Sequence, residues 1–205
     1  MTPRWLEWAR RIDAIGQTGL TFNQDPYDRE RYEMLRKVAA EMMAEGSGEA
    51  MERVAEILGS DAGYATPKVD VRGVVFRDAR ILLVRERSDG LWTLPGGWAD
   101  VGDTPAEAIV REIREESGFE ARVAKLLAVL DRDRQGHPPH VHHSYKLLFL
   151  CDLLGGAPTT SHEILDVGFF AEDRIPELSL DRTLPSQIAR AFEHLRDPDL
   201  PADYD

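Results

Sequence analysis

Glu112, Glu115 and Glu116 stand at i, i+3 and i+4 in the stretch Pro-Ala-Glu-Ala-Ile-Val-Arg-Glu-Ile-Arg-Glu-Glu-Ser that begins at Pro105. On a helix this spacing stacks three carboxylates on one face. Like charges so placed repel, and a helix on its own gains nothing from them. A hard divalent cation turns that repulsion into attraction. Mg2+ takes oxygen ligands, commonly one or two carboxylates together with substrate phosphates. Arg111, four residues before Glu115, can pair with a carboxylate and fix its direction. Gly96 and Gly97, upstream, let backbone approach a ligand closely. Spacing alone leaves two readings open, a cation cage and a solvated acidic face.

The element that must carry these acids is well signalled. Thr104 can cap a helix, Pro105 suits its first position, and Glu107 completes a capping box. Gly118 is a natural left-handed stop after Ser117.

Taken together, Gly97 to Phe119 resemble the Nudix box, G-x5-E-x7-R-E-U-x-E-E-x-G-U, where U is a bulky aliphatic or aromatic residue. Gly97, Arg111, Glu112, Ile113, Glu115, Glu116, Gly118 and Phe119 match the pattern. Asp103 stands where the first glutamate belongs, one methylene short, which bears on fine geometry more than on activity and leaves a reach to the cluster through a water. The resemblance implies a hydrolase of nucleoside diphosphates linked to another moiety, X, working with Mg2+ or Mn2+. It implies that Glu112, Glu115 and Glu116 bind metal, with the Gly97 carbonyl completing the shell. Glu112 or Glu116 would be best placed for the attacking water. Arg111 would orient the glutamates, and Asp103 would support the cluster.

Bulk properties set the frame. The chain has 205 residues, 42% apolar content and a formal net charge of −12. That acidity argues against a general nucleic-acid or membrane surface. It leaves an anionic substrate possible, because bound cations invert the local field. Cys151 is the one cysteine, so no internal disulfide forms and a reducing cytoplasm is expected. No apolar run is long enough to span a bilayer.

Residues 4–16 read as a helix, with Trp5, Trp8, Ile12 and Ile15 at helical spacing and Gly19 breaking the pattern. Asp25 and Pro26 then open a long helix to about Ala44, with Tyr32, Leu35, Val38, Ala39, Met42 and Met43 as its stripe. After a turn at Gly46–Gly48, Met51, Val54, Ile57 and Leu58 mark a third helix ending at Gly59. To Ser60 this segment holds eight Lys and Arg against eleven Asp and Glu, so it lacks the basic face of a DNA-binding domain. Its own core is small for independent stability. Residues 1–62 are therefore expected to be a helical domain that docks on the rest of the chain or on a second copy, and a homodimer through these helices or the sheet edge is expected. The strings Trp-Leu-Glu-Trp-Ala-Arg-Arg-Ile and Asp-Pro-Tyr-Asp-Arg-Glu-Arg-Tyr resemble the N-terminal helical extension of one bacterial Nudix subgroup. That subgroup includes enzymes described as acting on ADP-ribose or CDP-choline.

Extended segments follow a polar linker, Ser60–Pro67. Val69, Val71, Gly73 and Val75 alternate with Asp70, Arg72 and Val74. Further strands are expected over Ile81–Arg87, Leu91–Leu94, Ala121–Leu130, Tyr145–Leu153 and Val167–Ala171. The Tyr145–Leu153 strand is apolar on both faces and should be buried. A last helix runs from Leu184 to Leu195, and the acidic, proline-rich tail from Asp197 should fray. The fold class is α/β, a mixed sheet between helices over residues 66–200. The resemblance implies the same, an α-β-α sandwich with the box at its edge.

Nudix enzymes often take a further acid from outside the box. Glu163 is the first candidate, Asp166 the second, and Asp131 or Asp133 the third. Arg85 and Arg87 could clamp phosphate, since a guanidinium fork matches phosphate oxygens; a surface ion pair is the alternative. His137, His140, His142 and His143 cluster, yet lack the two-pair spacing of a structural zinc site. A mobile loop touching substrate or a dimer mate fits them better. Cys151 reads as core. Phe22, Trp98, Tyr145, Phe169 and Phe170 could stack a base or simply pack. ADP-ribose is the first substrate expectation and CDP-choline the second. Gln135 stands where ADP-ribose enzymes carry a proline, and Gly136 and His137 where dinucleoside-polyphosphate enzymes carry a tyrosine. An RNA-processing enzyme and a non-catalytic metabolite sensor are the alternatives.

Overall fold

Capping and close helix contact shape the N-terminal segment. In the computed structural model, which describes residues 2–205, α1 spans Arg4–Phe22, α2 Pro26–Ser47 and α3 Met51–Gly59. Asp25 caps α2, its carboxylate accepting from the Tyr27 and Asp28 N–H groups, and Gly48 ends the helix at φ 76°. Helix α1 does not stop at Gly19. A Cβ there would lie 2.4 Å from the Tyr32 ring, so the glycine admits close packing of α2 rather than breaking α1. Leu6, Ala9, Ala40, Met43, Val54 and Leu58 make the core of this unit. An Asp13–Arg36 ion pair at 2.9 Å ties α1 to α2.

The chain divides into two units, Met1–Lys68 with Pro138–His143, and Val69–His137 with Ser144–Asp205. Pro138–His143 thus groups with the helices, where Val141 packs against their core and its carbonyl accepts from Arg10 Nε at 3.0 Å. The expected mobile loop is instead an anchored segment. No helix among the described residues is long and apolar enough to cross a membrane.

The second unit holds β1 (Lys68–Arg77, from Val69 on), β2 (Arg80–Glu86), β3 (Trp92–Thr93), β4 (Phe119–Asp131), β5 (Ser144–Gly156), β6 (Ile164–Phe170) and β7 (Asp203–Tyr204), with α4 (Pro105–Ser117) and α5 (Pro185–Arg196). The sheet order is β3-β2-β1-β5-β4-β7, with β6 also pairing β2. Strands β4 and β5 pair antiparallel and β4 and β7 parallel, so the sheet is mixed. Side chains alternate across it. Val71 and Val75 join Ala108, Ile109 and Ile113 of α4 in one core. Val74 joins Ile188, Ala191 and Phe192 of α5 in the other. The result is the α-β-α sandwich. The C-terminal tail does not fray, because β7 pairs with β4 and Asp203 takes the Arg190 guanidinium.

Candidate active site

Helix α4 begins as its residues dictate. Thr104 Oγ1 accepts from the Glu107 N–H, and the Glu107 carboxylate accepts from the Thr104 N–H at 2.9 Å. Gly118 closes it at φ 75°. This fixes the helix ends, and with them the face that carries Glu112, Glu115 and Glu116.

The glycine loop is laid against β1 by backbone bonds. The N–H groups of Val71 and Gly73 donate to the carbonyls of Gly97 and Pro95, and the Ala99 N–H donates to Val69. Gly96, at φ 134°, passes so close that a Cβ would sit 2.0 Å from the Val71 carbonyl oxygen. From there its N–H donates to Glu116 Oε2 at 2.8 Å. The Glu112 carboxylate lies beside Gly97, its nearest oxygen 3.6 Å from where a Cβ would be.

Arg111 gathers the acids. Its Nη1 reaches Glu112 at 2.9 Å and Glu115 at 3.3 Å, its Nε reaches Asp103 at 3.1 Å, and its Nη2 reaches Asp100 at 3.0 Å. The shorter Asp103 still meets the arginine directly. Glu116 is buried, and burial pushes its carboxyl up to about 8, although Arg72 and the Gly96 N–H favour its ionised form. Burial likewise raises Glu112. Hard oxygen donors, two of them in surroundings that penalise uncompensated charge, suit a divalent cation. Glu112, Glu115, Glu116 and the Gly97 carbonyl, which already accepts from the Val71 N–H, could hold it.

Other candidates are placed differently. Glu163 is exposed, 3.2 Å from His162, while its carbonyl accepts from the Arg87 N–H. Its charge helps to raise Glu86, which burial raises first. Asp166 lies opposite Arg85 in the β2–β6 register. Asp131 Oδ1 accepts from the Asp133 N–H in the turn after β4. Arg85 and Arg87 each direct Nε to a loop carbonyl, Gly90 at 2.7 Å and His162 at 2.9 Å. His137 is buried, its Nδ1 bonded to the Leu180 carbonyl and its Nε2 facing Gln187. Cys151 is buried, and burial drives its thiol up to about 12. Phe169 stacks edge-on to Phe119, and Phe170 to Trp92.

Two groups near the acids carry no motif. Glu86, at the inner end of β2, pairs with Arg182 at 3.2 Å and adds to the charge that Glu116 feels. Arg72 is buried on β1. Alternation at Arg85-Glu86-Arg87 was the available signal, since two outward arginines turn the glutamate inward.

Residues 66–193 match the model described as the NUDIX domain, and residues 3–58 match that described as a UDP-X-like, N-terminal oligomerisation domain. A Bacillus subtilis protein provisionally named ADP-ribose pyrophosphatase YjhB is 50% identical over 196 residues, 96% of this chain and 94% of its own. A crystal structure of a UDP-X diphosphatase is 41% identical, covers 98% of both chains and superposes with a TM-score of 0.64. An ADP-ribose pyrophosphatase from Streptococcus suis is 36% identical over 68% of this chain and all of its own, with a TM-score of 0.63.

Proposed function

The chain belongs to the Nudix hydrolase family, and we propose that it is a metal-dependent pyrophosphohydrolase of a nucleoside diphosphate linked to a second moiety, X. The products are a nucleoside monophosphate and phosphorylated X. The observation that carries this reading is the double tie on the acidic face: Arg111 bonded to Glu112 and Glu115, and Gly96 bonded to Glu116. Such ties hold carboxylates in place before a ligand arrives.

A pyrophosphate bridge resists hydrolysis because its own negative charge repels nucleophiles. Mg2+ or Mn2+, when bound, would neutralise that charge and acidify water. The chain supplies the rest. Arg111 orients Glu112 and Glu115, while the Gly96 N–H orients Glu116. Glu112 and Glu116 are the carboxylates assigned to take the proton of the attacking water, each in its ionised form. Glu163 is an accessory acid at the rim, and Arg85 and Arg87 brace the flanking loops while presenting positive charge to phosphate. ADP-ribose is the first substrate, in keeping with the names of two relatives. Other NDP-X molecules, among them CDP-choline and UDP-linked sugars, come second.

The active form is a homodimer through the helical unit. Trp8, Ile15 and Phe22 are exposed on α1 seven residues apart, and Tyr27, Met34 and Val38 are exposed on α2. Apolar side chains at heptad spacing call for a partner helix, and a second copy supplies one. The functional reading is tested by separating the products of ADP-ribose hydrolysis. AMP and ribose phosphate, lost on chelation of the metal, are expected; cleavage that releases only inorganic phosphate would contradict it.

A further inference from the structure

Strand β1 buries charge where a strand normally buries hydrocarbon. Asp70 and Arg72 are each 6% exposed, and Lys146 on β5 is fully buried. They lie on the face that carries Val74 into the α5 core. Buried ions cost several kcal/mol each unless paired and hydrogen-bonded. Arg72 Nε donates to Asp70 Oδ1 at 2.7 Å and its Nη2 to Oδ2 at 3.4 Å, while Lys146 Nζ takes Oδ2. Here two cations share one carboxylate. Beyond Asp70, the charges of Glu116 and then Glu86 favour the guanidinium's charged form.

The remaining edge of the guanidinium is turned to the glycine loop. Arg72 Nη1 donates to the Leu94 carbonyl at 3.1 Å. The Leu94 N–H is held from the other side by Thr183 Oγ1 at 3.1 Å. Two residues further on, the Gly96 N–H meets Glu116. One side chain outside the box therefore holds the start of the loop, and the loop in turn holds Glu116.

We propose that Arg72 is a positioning residue for the reaction: held by Asp70, which Lys146 anchors in turn, it sets the glycine loop whose Gly96 N–H holds the Glu116 carboxylate. It acts through Leu94 and the loop that follows, and does not touch substrate. This rests on the pyrophosphohydrolase reading for its kinetic consequence but not for its structural one. A fork is required, because the carboxylate of Asp70 and the carbonyl of Leu94 are reached by different nitrogens. A lysine at this position keeps the charge and cannot serve both.

The test uses the full-length chain with Arg72→Lys, and Asp70→Asn as a second route to the same effect. Amide hydrogen exchange of the metal-free protein is followed in peptides covering residues 94–99 and, as control, the β1–β2 turn at 76–81. The proposal expects faster exchange at 94–99 alone. In turnover of ADP-ribose with Mg2+, kcat should fall on the order of 10²-fold, the scale of a misplaced reacting group, with KM within about twofold. A rise in KM at unchanged kcat would overturn it, since that is the mark of a direct substrate contact. Unchanged exchange at 94–99 in a folded variant would overturn it equally. Faster exchange across both peptides would reduce Arg72 to a general structural role, and so reject the proposal. If Arg72→Lys does not fold, Asp70→Asn decides by the same readouts. If the wild type turned over no NDP-X compound, the functional reading would fail, while the exchange comparison would still decide whether Arg72 sets the loop.

Discussion

Replacing Glu116 by glutamine separates the two demands made on that carboxylate. The side chain keeps its shape and can still accept from Gly96, but it cannot ionise. In the folded, metal-free protein Glu116 binds its proton up to a pH of about 8, against 4.5 for an unperturbed glutamate, chiefly because it is buried. Between these values the native state holds a proton that the unfolded chain has released. Stability therefore falls as pH rises from 4.5 through 8. At about 1.4 kcal/mol per unit, the full interval is worth about 5 kcal/mol. Urea unfolding of the metal-free proteins should show this loss in the wild type and not in Glu116→Gln. The variant should thus be as stable as wild type near pH 5 and more stable at pH 9. Its turnover should nevertheless fall by on the order of 10²-fold or more, the usual loss when one strong electrostatic contributor is removed. Added Mn2+ should stabilise the wild type and leave the variant nearly unchanged. Parallel pH profiles for the two proteins, or near-normal turnover by the variant, would refute the reasoning.

Three further outcomes follow from particular contacts. His137 is buried and its proton affinity is depressed to about 4 from 6.5; the stability this confers is present above pH 6.5 and lost as pH falls toward 4, about 3 kcal/mol in all. Urea unfolding of wild type against His137→Gln should show that slope in the wild type only. The paired change Ile15→Glu and Phe22→Glu places charge on the exposed α1 stripe; light scattering should report half the wild-type mass, and a retained dimer mass would remove this face from the interface. Asp103→Glu restores the residue of the box pattern, but Asp103 already meets Arg111 at 3.1 Å on a partly exposed pair. Exposed pairs are worth about 1 kcal/mol or less, so kcat/KM should change by less than about fivefold.

The acidic face was legible because its spacing is local. Capping at Thr104 and Glu107 and the stop at Gly118 are written in neighbouring residues, and they place Glu112, Glu115 and Glu116 without reference to the rest of the chain. The sheet was legible in outline for the same reason, since alternation and turns are short-range. Gly19 misled because a glycine inside a helix signals either a break or a close approach, and only the partner ring of Tyr32 decides which. The tail misled because Asp203 finds Arg190 and the β4 edge through the fold. Asp70 and Arg72 were hidden by the alternation that revealed β1. Charged residues every second position read as a wet face, although Val74 on that same face packs under α5. Lys146, alone in an apolar strand, was the signal that the charges there are inside. The anchoring of Pro138–His143 by Arg10 depends on residues more than a hundred positions apart, which no local pattern carries.

The central claim is that a cation held by the box acids cleaves a pyrophosphate bridge in an NDP-X molecule. The most direct test is phosphatase-coupled phosphate release from a panel of ADP-ribose, NADH, CDP-choline, UDP-glucose, diadenosine polyphosphates and nucleoside triphosphates, with Mg2+ or Mn2+ and with Glu116→Gln as blank. One NDP-X compound, ADP-ribose first, should be turned over far above the rest, only with metal, and not by the variant. Metal binding with no turnover of any compound would contradict it and leave the protein a sensor of such a metabolite.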